Sequence, residues 1–69
     1  MPLIHSITAY VPIRKCEDDG HTWLDVSALD VDRAGCNLQI RKYRKAGGAA
    51  WDDANRVVRI VKVLVVEVG

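Results

Sequence analysis

Arg56-Val57-Val58-Arg59-Ile60-Val61-Lys62-Val63-Leu64-Val65-Val66-Glu67-Val68 is the stretch whose reading decides the fold. Seven of its thirteen residues are valine and one is isoleucine. Side chains branched at Cβ are stiff at χ1 and suit a pleated strand better than a helical turn. A helical period also fits in part, because Val57, Val58, Val61, Leu64, Val65 and Val68 fall near one face at 3.6 residues per turn. The β-branched content decides for a strand. Its length, about twice the usual, predicts a bend or a bulge within it. Val58 and Ile60 then share a face with Lys62, while Arg59, Val61, Val63 and Val65 share the other. One face must cover a core, and the second is too apolar to meet water alone. That surplus is the main functional pointer in the chain.

Upstream, Leu3 to Arg14 alternates as a half-buried strand does. Leu3, Ile7, Ala9, Val11 and Ile13 take one face with His5, and Ser6, Thr8, Tyr10 and Arg14 take the other. Pro12 lacks an N–H and places that end at an edge or a bulge. Lys15-Cys16-Glu17-Asp18-Asp19-Gly20 ends in Asp-Gly, a hairpin signal. A second strand is predicted from His21 to Ala28, with Thr22, Leu24, Val26 and Ala28 facing the core and Trp23, Asp25 and Ser27 facing away.

Asp30 to Ala46 reads as a helix: Asp30 is a plausible N-cap, Arg41, Lys42, Arg44 and Lys45 suit the C-terminal end of the dipole, and Gly47-Gly48 offers a stop. Val31, Ala34 and Leu38 form one stripe; Cys36, Ile40 and Tyr43 form another. Gly35 weakens the helix by ~1 kcal/mol relative to alanine. A competing reading turns the chain at Asp32-Arg33-Ala34-Gly35 and extends Leu38 to Tyr43. Gly48 to Asn55 is read as a connection that Trp51 anchors to the core.

The fold class predicted is α+β, in the order β-β-α-β: a three-stranded antiparallel sheet, order 2-1-3, with one helix on one face. The alternative is an all-β four-stranded meander. The core is expected to hold Ile7, Val11, Leu24, Val26, Val58 and Ile60. Sixty-nine residues make one domain, 1–69. A chain this short buries only roughly 60% of its unfolded surface. With so thin a core, the valine surplus predicts a homodimer, paired by sheet edge or face to face.

Composition narrows the function. Residues 1–32 set Arg14 and Lys15 against six carboxylates, a net of −4, whereas residues 33–62 set eight cations against Asp52 and Asp53, a net of +6. A chain divided in this way can steer a partner without being basic overall. Two cysteines make no disulfide framework. With no secretory leader and no apolar run of membrane-spanning length, the expectation is a cytoplasmic protein with no membrane partner. No nucleophile motif, phosphate loop or carboxylate pair points to an enzyme. Cys16, Asp18, Asp19 and His21 lie in one loop, with Cys36 and His5 elsewhere, but zinc frameworks use paired Cys or His units that are absent here, so neither a metal nor a cofactor is expected.

Binding is the class that remains. Tyr10 and Trp23, on outward faces of paired strands beside Val61, Val63 or Val65, are the expected apolar anchors for a protein partner. Arg41, Lys42, Arg44 and Lys45 would steer that partner. The same cations interleaved with Tyr43, and Arg59 with Arg56 and Lys62, would alternatively hold nucleic acid, by phosphate neutralisation and base stacking.

Two fragments carry a resemblance. Leu24-Asp25-Val26-Ser27-Ala28-Leu29-Asp30-Val31-Asp32-Arg33-Ala34 resembles the strand-to-helix joint of short orphan proteins of phages and mobile elements. Trp51-Asp52-Asp53-Ala54-Asn55-Arg56-Val57-Val58-Arg59-Ile60 resembles the tryptophan-containing approach to their last strand. The two cover about a third of the chain. Gly35 departs from the pattern. Such proteins include anti-CRISPR inhibitors, and the resemblance implies a small inhibitor that occludes a surface of a larger host complex rather than a catalyst.

Overall fold

The alternation of the first strand and the valine content of the last produce one long antiparallel ladder. The computed structural model describes residues 5–68. β1 (Ser6–Cys16) pairs with β3 (Asn55–Val66) along its whole length, and with the short β2 (Thr22–Leu24) on its other side, giving the order β2-β1-β3. Leu3 lies outside the described residues. The predicted bulge is present: Ile13 faces Arg59 while Arg14 faces Val57, so Val58 is the unpaired extra residue. Its side chain is exposed for that reason, and it leaves the expected core.

The second strand is shorter than predicted. Asp25 still donates its N–H to the Pro12 carbonyl, and Asp30 exchanges backbone hydrogen bonds with Tyr10. Between them Val26–Ala28 form a 3-10 turn, started by the Asp25 carboxylate, which accepts from the N–H and hydroxyl of Ser27. Val26 therefore leaves the strand and is 71% exposed, while Ala28 is buried.

The helix is present, and the meander is excluded. α1 (Arg33–Tyr43) is capped by Asp32, which accepts from the Gly35 N–H at 2.6 Å, and not by Asp30, which the bridge to Tyr10 has already taken. A Cβ at Gly35 would collide with the Asp30 side chain, so the glycine that weakens the helix also lets it approach the sheet. The helical path continues through a wide turn (Arg44–Gly48) into α2 (Ala49–Ala54), where a connection was expected. Gly47, at φ 104°, supplies the kink. Of the two predicted stripes, Cys36 is buried and Ile40 half-buried, but Tyr43 is exposed, as are Val31, Ala34 and Leu38.

The helices cover the face opposite to the one expected. Arg33 of α1 lies over the Tyr10 ring, and Arg14 reaches Asp52 and Trp51 of α2, so Tyr10, Pro12, Arg14 and Trp23 face the helical layer. Ile7, Ala9, Val11 and Ile13, with Val61, Val63 and Val65 beside them, share the other face, which is closed at Ala9 and Val11 and open at Ile7 and Val65. Ala9 and Val11 are buried and Ile60 is half-buried, but Ile7 and Leu24 are exposed and are not core residues. The result is elongated, 48 × 26 × 18 Å.

Candidate functional site

The centre of the molecule is a cation. Arg14 is 2% exposed; its Nε donates to Asp25 at 2.6 Å, and its Nη1 donates to Asp52 at 2.6 Å and to the Asn55 carbonyl at 2.7 Å. Asp52 also accepts from Arg44, which reaches Asp53 as well. Strand β1, the 3-10 turn and α2 are thereby joined through one guanidinium. Burial alone would lower the Arg14 pKa and raise those of Asp25 and Asp52. The hydrogen bonds and opposite charges outweigh it, so the arginine lies above its ordinary value and both carboxylates lie below theirs.

Aromatic rings close over this network. Trp51 lies against the Arg14 guanidinium at 4.8 Å, meets Tyr43 edge-on at 5.7 Å and Trp23 at 6.4 Å, and Trp23 stacks on His21. Between sheet and helices runs a cleft of about 560 Å³, lined by Arg14, Asp25, Gln39, Ile40, Lys42, Tyr43 and Trp51 among others. Tyr43 and Trp51 are 46% and 43% exposed. Trp51 thus does more than anchor a connection.

The expected site residues divide. Lys42 and Tyr43 border the cleft, and Arg41 and Lys45 stand exposed on the same helical path. Arg44 is tied to Asp52 and Asp53 instead of standing free to steer a partner. Tyr10 and Trp23 are half-buried under the helical layer, on the opposite side of the sheet from Val61, Val63 and Val65, so they are not anchors beside those valines. Arg59 is exposed on the valine face, opposite Ile13. Arg14, Asp25 and Asp52 were missed. Their separations of 11 and 38 residues leave no local pattern, although Asp25-Val26-Ser27 is a turn signal legible in the sequence.

In the hairpin loop, donor atoms of Cys16, Asp19 and His21 lie within 4.8 Å of one another, without Asp18. Asp19 accepts from the backbone N–H and ring Nδ1 of His21, which lowers its pKa and accounts for the arrangement without an ion. A thiol and a hydroxyl of this region are held in internal hydrogen bonds. The Cys36 thiol donates to the Tyr10 carbonyl and burial pushes its pKa up, away from thiolate. The Ser27 hydroxyl is committed to Asp25, a carboxylate already held by Arg14. Among the described residues, no helix is long and apolar enough to cross a membrane. Comparison of the chain with protein-family models, with curated proteins and with solved structures gives no match.

Proposed function

We propose that this chain is a small, non-catalytic protein-binding module of the cytoplasm, which acts by covering a surface of a larger complex, as phage and mobile-element inhibitors of the anti-CRISPR type do. The observation that carries the reading is the half-exposed Tyr43–Trp51 pair at the mouth of the cleft, with Lys42 on its rim and Arg41 and Lys45 beside it. Tyrosine, tryptophan and arginine dominate binding hot spots, and rim cations speed the encounter with an acidic surface. An acidic protein segment that seats an apolar side chain against the two rings fits this chemistry.

The test is capture from a bacterial lysate, with and without nuclease, by the native chain and by Tyr43→Ala and Lys42→Glu variants. A protein complex that survives nuclease and is lost with Tyr43→Ala is the expected result; Lys42→Glu should mainly slow association. Nuclease-sensitive capture, or capture indifferent to both variants, would contradict it. The first of these would favour direct nucleic-acid binding, for which the exposed ring of Tyr43 between cations is the supporting feature.

A further inference from the structure

β3 is an edge strand, and no strand among the described residues pairs with its outer side. The Glu67 N–H donates to the His5 carbonyl, and the ladder continues through Val65–Ile7, Val63–Ala9, Val61–Val11 and Arg59–Ile13. In an antiparallel ladder alternate residues turn both backbone groups toward the same neighbour. The odd-numbered residues from Arg59 to Glu67 therefore serve β1, and the N–H and C=O of Ile60, Lys62, Leu64 and Val66 point outward. Free edges are ordinarily blunted by proline, a bulge or inward-pointing charge. Here Lys62 is the one charge among those outward residues, and the bulge at Val58 lies outside the segment.

We propose that this edge pairs antiparallel with the same edge of a second copy of the chain, joining two three-stranded sheets into one of six strands. A two-fold axis perpendicular to the sheet keeps every residue on its own face, so it must pass at a residue and not between two. Centred on Val63, it sets Ile60 against Val66 of the partner subunit and Lys62 against Leu64 of the partner subunit. All four outward residues are then paired. On the face away from the helices, Val61 meets Val65 of the partner subunit, and Arg59 meets Glu67 of the partner subunit. Centred on Lys62 instead, the axis would oppose that ammonium to its own copy. On the valine face the strand is thus self-complementary about Val63, with Val61, Val63 and Val65 at the middle and opposite charges at both ends, while Lys62 lies on the other face beside Leu64 of the partner subunit; the charge match selects a second copy over a foreign strand.

Sedimentation of the full chain across the micromolar range tests this. The expected species at high concentration has twice the 7.7 kDa of the monomer. Arg59→Glu and Glu67→Arg should each weaken association by about tenfold, since each sets like charges opposite twice per dimer, and the two together should restore it. Leu64→Pro removes an outward N–H that β1 does not use and should abolish the dimer. A mass near 7.7 kDa at every concentration would overturn the proposal. So would a dimer indifferent to both reversals, or one that the combined reversal fails to restore. Should Leu64→Pro disturb the strand, the charge reversals on exposed side chains still decide.

Discussion

At one end of the β1–β3 ladder Arg14 is buried between two carboxylates and under a tryptophan ring; at the other, Ile7, Leu64 and Val66 stand in solvent. At these two ends the usual arrangement of charge outside and hydrocarbon inside is inverted, with Ala9 and Val11 buried between them. A buried charge is tolerated only when it is paired and fully hydrogen-bonded, and the Arg14 end meets that condition: no described buried side-chain nitrogen or oxygen lacks a partner. Exposed hydrocarbon gains nothing until something covers it. One end therefore holds the fold together, and the other end is available for association.

The strongest way to break the comparison is Arg14→Met. It leaves Asp25 and Asp52 buried without their main partner, and loss of one member of such a pair costs about 3–5 kcal/mol. In a domain this small that approaches the whole stability, and urea titration should show a largely unfolded protein. Acid should act on the same end. Both carboxylates have folded pKa values below the ordinary 3.8, so their contribution is fully present above that value and is lost as pH falls through the folded values. The melting temperature should be level from about pH 7 to 5 and fall steeply below about pH 4; a level profile down to about pH 2.5 would remove the network from the account.

Smaller effects sharpen the contrast within the apolar residues. Val11→Ala, at a buried position in the middle of β1, should cost about 1.5–2 kcal/mol, near 0.8 for each methylene-sized group removed. Ile7→Ser, four residues away on the same face but exposed, should change the stability of the dilute protein by less than about 0.5 kcal/mol. Equal losses at the two positions would mean that the ribbon end is covered within one chain.

Why the strand order was legible and the covered face was not is a matter of period. Alternation of Ile7, Ala9, Val11 and Ile13 against Tyr10 and Arg14 states which residues share a face. The Asp-Gly turn and the terminal valines then give three antiparallel strands, and the bulge follows from the slip at Val57–Val58. Neither signal states which face the helices take. Hydrophobicity assigns the interior to Ile7 and Leu24, whereas three charged residues from distant parts of the chain claim it instead. The helix start moved for a similar reason. Asp30 and Asp32 are equivalent as caps in sequence, and only the bridge to Tyr10 removes Asp30. For the candidate site, Tyr43 and Lys42 were recognisable by type, while Trp51 entered through the extension of helix into α2 that Gly47 permits.

Residue-resolved amide hydrogen exchange, at a concentration low enough to keep the chain monomeric, tests the division of the ladder most directly. The slowest amides should cluster around Arg14: Tyr10, Asp25, and Glu17, which donates to Ala54. Among amides bonded across the ladder, those of Ile7, Val65 and Glu67 at the ribbon end should exchange fastest, because little packs against them. Uniform protection of the bonded amides along β1 and β3, or slower exchange at the ribbon end than around Arg14, would contradict the claim that the buried ion network holds this fold together.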